Sequence, residues 1–191
     1  MDRPTLYFNT INRTKISEIT EIFSSSECEM KFMENYILEV LSNDLETVIK
    51  AKAAEAYKKC RVPVIVEHGS LCVEYFNNFP GALSKPMWDL MGSKICTLIP
   101  VGESRKAVVY SGVCYCDGKI RRSFIEKTDG IIATEARGTH GFQWDPIFIP
   151  EGTTKTYAEM EQTEKLSFSQ AQKAYDQLKK ALNIKKTPPV A

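Results

Sequence analysis

Phe142-Gln-Trp-Asp-Pro-Ile-Phe-Ile-Pro-Glu-Gly-Thr-Thr-Lys-Thr-Tyr-Ala-Glu-Met-Glu-Gln-Thr-Glu-Lys165 is the segment from which the rest of the chain is best read. The ring of Phe142 can stack on another flat ring. Asp145 can accept a hydrogen bond from a ring N–H. The residues before it, 136–145, read as a loop. After it, Phe168 to Leu182 places Ala171, Ala174, Tyr175, Leu178 and Leu182 on one side of an amphipathic helix.

Working outward, Thr5 to Asn9 is a short β-rich run, and Ile16, Ile19, Ile22 and Phe23 have helical spacing. The start of the chain therefore predicts strand, polar turn (residues 10–14) and helix. Residues 31–41 are expected to hold a second strand. Asn43 or Asp44 can cap a helix that runs to about Cys60. Arg61 to Val66 reads as a buried strand, Glu67-His-Gly-Ser70 as a tight turn, and Leu71 to Phe76 as a continuing strand. Pro80-Gly81 reads as a turn, and Trp88 to Ile99 has helical spacing. Asp117-Gly118 between Ala107–Cys116 and Lys119–Glu126 is a two-residue hairpin signal. Gly130 to Glu135 looks like a further strand. Strand–helix alternation followed by a hairpin gives an α/β fold with a mixed sheet. One domain is expected over residues 1–184, with a flexible tail over 185–191 carrying Lys185-Lys186 and Pro188-Pro189.

Composition excludes several function classes. The chain has 191 residues, 43% of them hydrophobic, and a net charge of +1 with 26% charged. No bulk field argues for nucleic acid or a membrane surface. No apolar run approaches the roughly 20 residues that span a bilayer. Met1-Asp-Arg-Pro4 leads straight into a strand-like run, so a signal peptide is not expected and a cytoplasmic location is. The six cysteines are read as free thiols. Cys114 and Cys116 would share a strand face, but about four ligands are needed for zinc.

The quoted segment resembles the C-terminal signature of the inosine triphosphate pyrophosphatase family: an aromatic, Gly, Trp or Tyr, Asp, Pro, x, Phe, then Thr-Tyr-Ala-Glu-Met, Glu-Lys-Asn and Ser-His-Arg. The resemblance extends over roughly residues 5–182. It implies a mixed sheet flanked by helices in two lobes, with a central nucleotide cleft. It also implies a magnesium-dependent conversion of (d)ITP-type triphosphates to monophosphate and pyrophosphate, and a homodimer. Thr10, Asn12 and Lys15 match a phosphate-binding Thr-Gly-Asn-x-x-Lys, with Ile11 in place of glycine. A helix N-terminus suits phosphate on physical grounds as well. Lys52 and Lys85 match phosphate-contacting lysines, Glu39 and Glu67 match acidic positions linked to magnesium, and Lys165 is retained. Phe142, Trp144 and Asp145 fall in the base-binding loop, where Gln143 replaces glycine.

The departures are as informative as the matches. The acid that activates water in the family is His68 here. Neutral imidazole can act as a base, but it is no carboxylate for a magnesium ion. Gln170-Ala171 stands where the family reads a 6-oxo purine with His-Arg, and alanine cannot replace a guanidinium fork. The first expectation is therefore a nucleotide-binding sensor or regulatory subunit that has lost hydrolysis. By analogy, some bacterial anti-phage systems pair such subunits with a sirtuin-like effector. The second is an active pyrophosphatase with altered base preference, built around His68. A structural partner without a ligand is the third.

Overall fold

Val64–Val73 forms one unbroken ten-residue strand, and the rest of the sheet is arranged about it. The structure is a computed structural model and describes residues 3–187. Its strands are β1 (Thr5–Asn9), β2 (Glu29–Met33), β3 (Val64–Val73), β4 (Phe79–Gly81), β5 (Lys106–Cys116), β6 (Arg121–Ile132) and β7 (Phe148–Pro150). Its helices are α1 (Arg13–Ile22), α2 (Leu45–Cys60), α3 (Ser84–Met91), α4 (Gln162–Phe168) and α5 (Gln170–Ala181). The sheet order is β2-β1-β3-β5-β6-β7, with β4 on the far half of β3. β1 is parallel to β2 and β3, and the remaining pairs are antiparallel. The expected mixed α/β sheet is present.

β3 shows how the sheet divides its surroundings. Side chains alternate across a strand, so Val64 and Val66 pack toward α2 with Ile49, Ala53 and Ala56. Ile65 packs on the opposite face with α1 and α5, beside Phe8, Phe23 and Tyr175. Edge-on aromatic contacts knit that second group, with Phe8–Phe23 centroids 5.3 Å apart and Phe23–Tyr175 5.6 Å apart. Farther along, Leu71 and Val73 join a third cluster with Trp144, Ile147 and Phe148. Glu67 and His68 therefore leave the same strand on opposite faces.

Several local expectations change. Glu67-His-Gly-Ser70 is not a turn but the middle of β3, held by a continuous antiparallel ladder to β5. Residues 31–41 give a strand only to Met33. The helix expected over 88–99 is α3 followed by a 3₁₀ segment, Gly92–Leu98. Gly130 to Glu135 is largely the end of β6 and not a separate strand. The helix expected over 168–182 is interrupted at Ser169, whose extended backbone (φ −68°, ψ 128°) closes α4, while its hydroxyl accepts from the Ala171 N–H to cap α5. Pro80-Gly81 lies in β4, which with β7 and α4 was not foreseen. The hairpin signalled at Asp117-Gly118 is present, but residues 117–120 separate its strands, with the Asp117 N–H donating to Ile120 O and Asp117 Oδ1 accepting from the Lys119 and Ile120 N–H groups.

The tail was expected to be free from residue 185. Lys185 O instead accepts from the Glu27 N–H, and the Thr187 N–H donates to Ser25 O. Residues 188–191 lie outside the described residues.

Candidate nucleotide cleft

The β1–α1 junction is built by its own side chains. Asn12 caps α1, its Oδ1 accepting from the N–H groups of Thr14 and Lys15. Thr10 Oγ1 accepts from the Asn12 N–H at 3.2 Å. Thr10 and Asn12 thus set the loop's shape, while Lys15 reaches inward to Glu67 Oε1 at 3.2 Å. Thr10, Asn12, Lys15, Glu39, Lys52, His68 and Lys85 line one cavity of about 380 Å³ together with Ile11 and Gln143. That is large enough for a small organic ligand. Lys85 does not sit on a loop as expected; it lies in the first turn of α3, paired with Asp89.

Glu39 is the hub of one wall. It lies in the irregular segment after β2, where Lys52 Nζ approaches Oε1 to 2.6 Å and His68 Nδ1 lies 3.5 Å from Oε2. Contact with His68 and the charge of Lys52, against the opposing effect of burial, hold the Glu39 carboxyl well below the usual carboxylate range. Burial pushes the Lys52 ammonium down, with Glu39 opposing. Lys52 also donates to Glu67 O at 3.0 Å. His68 Nε2 is 2.8 Å from Ala82 O. A carbonyl only accepts, so that nitrogen carries the proton. Nδ1 then faces Glu39, and it can donate there only as imidazolium. In the neutral ring Nδ1 keeps its lone pair.

On the opposite face of β3, Glu67 is buried and accepts from Ser111 at 3.1 Å and from Tyr175 at 3.3 Å. Burial alone would raise its pKa, but Lys15 and the Ser111 hydroxyl more than offset this and it ends below the ordinary value. Beyond it lies a second pocket, which shares Lys15 and Gly69 with the first in its lining and is also lined by Phe142, Trp144, Asp145, Lys165 and Gln170. Asp145 Oδ2 accepts from the Phe142 N–H and from Lys165, both at 2.8 Å. Lys165 also lies 3.6 Å from Glu18 Oε1 and 5.5 Å from the Phe142 ring centroid. Burial opposes the Lys165 charge, but Asp145 and Glu18 carry its pKa above the ordinary value. Burial raises the Glu18 carboxyl despite Lys165. Gln170 Oε1 is 3.2 Å from the Tyr157 hydroxyl, which donates to it.

Trp144 is buried against β3, where a Cβ at Gly69 would lie only 2.8 Å from its Cη2, and it lines the pocket. It forms the wall behind the pocket. The pocket itself measures about 20 Å³, room for a water and not for a purine ring. The sequence reading missed Glu18, Ser111 and Tyr175. Glu18 was within reach, since it lies three residues after Lys15 and shares its helix face.

Magnesium prefers octahedral oxygen ligands. Among the described residues, no group of three His, Cys, Asp or Glu side chains could hold a metal ion. Glu67 is neutralised by Lys15, and Glu39 by Lys52. Glu39, at the edge of the cleft, is the carboxylate that would share an ion brought in on triphosphate oxygens, where the ion would neutralise phosphate charge.

An α/β sheet with a lysine-lined cleft and an acidic, aromatic pocket beside it defines a protein with the means to hold a phosphorylated, ring-bearing ligand. The chain matches the Ham1 family over residues 6–181 and belongs to it. It is 37% identical over 179 residues to the dITP/XTP pyrophosphatase of Hyperthermus butylicus, covering 93% of this chain and 94% of that protein. It is 36% identical over 167 residues to the protein of the same description from Saccharolobus solfataricus, covering 87% of each. Its fold matches the structure of a HAM1 protein from Coxiella burnetii with a TM-score of 0.80 at 24% identity, over 94% of this chain and 98% of that one. Among the described residues, no helix is long and apolar enough to cross a membrane.

Proposed function

We propose that this chain binds a purine nucleoside triphosphate of the inosine or deoxyinosine type and does not cleave it efficiently, so that it works as a nucleotide sensor or regulatory subunit. The observation that carries this reading is His68. Where the family resemblance expects the water-activating carboxylate, an imidazole stands with Nε2 on Ala82 O and Nδ1 toward Glu39. With the Nε2 proton directed to Ala82 O, the one lone pair of the neutral ring lies at Nδ1, turned toward the Glu39 carboxylate, and the ring brings no negative charge where the family resemblance expects a carboxylate.

Lys15, Lys52 and Lys85 are the groups for the phosphates. Phe142, Asp145, Lys165 and Gln170 are those for the base. A homodimer or a complex with an effector protein is the assembly this role requires, and an anti-phage complex is the setting that analogy supplies.

A second reading, an active magnesium-dependent pyrophosphatase with changed base preference, is favoured by the relatives described as dITP/XTP pyrophosphatases and by the retained Glu39 and Glu67. The deciding experiment measures pyrophosphate release with magnesium across inosine, deoxyinosine, xanthosine and standard triphosphates, with thermal shift on the same samples. Stabilisation without release is expected, because a ligand that binds the native state must stabilise it. His68→Asp is expected to create or raise release. Clear turnover by the unaltered chain, abolished by His68→Ala, would overturn the sensor reading.

A further inference from the structure

The backbone of Gln143 has φ +51°, in the left-handed region. Five described non-glycine residues have positive φ: Arg61, Asn77, Asn78, Gln143 and Asn183. Asparagine tolerates that region, and Arg61 closes the C-terminus of α2, a place where it is commonly used. Gln143 fits neither case, and it is the one of the five that lines the 380 Å³ cleft. Glycine would take this conformation at no steric cost, so keeping a long polar side chain here runs against backbone preference.

Among the described residues no hydrogen bond uses that side chain. The loop is held by Asp145, which accepts from the Phe142 N–H and from Lys165. The Gln143 amide, half-exposed, makes no hydrogen bond among the described residues. It shares the cleft with Lys15, Lys52 and Lys85 and is absent from the lining of the small pocket that holds Asp145, Lys165 and Gln170.

We infer that Gln143 is a specificity-determining residue whose amide N–H₂ donates to the polyphosphate of the bound nucleotide, letting this chain tell a triphosphate from a monophosphate. An amide adds a directed donor to a lysine-lined cleft without adding charge. The inference rests on the nucleotide-binding reading above and adds to it the part of the ligand that is read and the residue that reads it.

The test titrates the whole chain with the α,β-imido analogue of deoxyinosine triphosphate, so that turnover does not intervene, and separately with deoxyinosine monophosphate. Melting of the unliganded protein is followed in parallel. Gln143→Gly is expected to weaken the triphosphate analogue about tenfold, the scale of one hydrogen bond to a charged group. Monophosphate affinity should stay within about twofold, and the unliganded melting temperature should be equal to or above that of the parent. Gln143→Glu should weaken the analogue further, through charge repulsion. Unchanged analogue affinity in Gln143→Gly, an equal loss for both ligands, or a lower unliganded melting temperature overturns the inference. Should Gln143→Gly fail to fold, Gln143→Glu decides: an unchanged affinity overturns it, and a loss confined to the triphosphate supports it. Absence of binding by the parent chain sinks the nucleotide reading itself, an outcome distinct from binding that the variants leave unaltered.

Discussion

Lys165 stands between two buried carboxylates, 2.8 Å from Asp145 Oδ2 and 3.6 Å from Glu18 Oε1. A buried charge stripped of its partner is costly, and removing one member of such a set typically costs about 3–5 kcal/mol. Lys165→Met should therefore lower stability by about 3 kcal/mol in urea unfolding. Adding Glu18→Gln to that variant should recover part of the loss, because one orphaned carboxylate is neutralised; additive losses would show that the three groups are not coupled. Lys165 and Asp145 were legible in the sequence as members of a short ordered motif. Glu18 was not, because a helical glutamate is normally solvated and only the arrival of the C-terminal segment buries it. His68 was legible as a departure from an acid, but its bond to Ala82 O depends on β4 and α3 folding back over β3, which no local pattern announces.

At the scale of the element, β3 and α2 position the cleft. The His-Gly-Ser composition around Gly69 favours a turn; in the fold Gly69 is the place where β3 lets the Trp144 indole approach closely. Gly69→Ala should cost about 1–3 kcal/mol through forced displacement of the indole. Trp144→Phe in the same chain should cost less than the sum of the two changes, and strict additivity in chemical denaturation would contradict the contact. α2 was read correctly at its start: Asp44 accepts from the Thr47 N–H at 2.8 Å. Asp44→Ala should cost about 1 kcal/mol near neutral pH. The Thr47 hydrogen bonds lower the Asp44 pKa from its ordinary 3.8, so this stabilisation is present above that value and is lost as pH falls below it. The gap between parent and variant should accordingly close in acid melts, and a gap that widened there would refute the cap. β5 and the capped start of α2 were thus legible, while β3 and β6 were each read as broken. The short β4 and β7, three residues each, carry too little pattern to be found without their partners.

For the whole molecule, net charge is +1 and the sequence pI about 7.5, so no long-range field draws an anion in. The positive character is local, concentrated where Lys15, Lys52 and Lys85 face one cavity. Attraction among partly exposed charges is screened within about 8 Å at physiological ionic strength. The affinity of the triphosphate analogue should fall measurably when salt is raised from about 0.05 M to about 0.5 M, while that of the uncharged nucleoside should not. Equal salt dependence for both would place the ligand away from the lysines. The mixed sheet and the gathering of one phosphate-type wall were legible from ordered motifs. The division of the site into a roomy cavity and a nearly closed pocket was not, since it depends on how far the 142–144 loop settles onto the strand.

The alternation of β3 has a consequence for how this chain could have diverged. Glu67 faces α1 and α5, while His68 faces α2 and α3, so neighbours in sequence answer to separate surroundings. Selection could rewrite one side of the strand while leaving the other intact. A change at one of these positions need not disturb the contacts of the other, because the two side chains never share a face of the sheet.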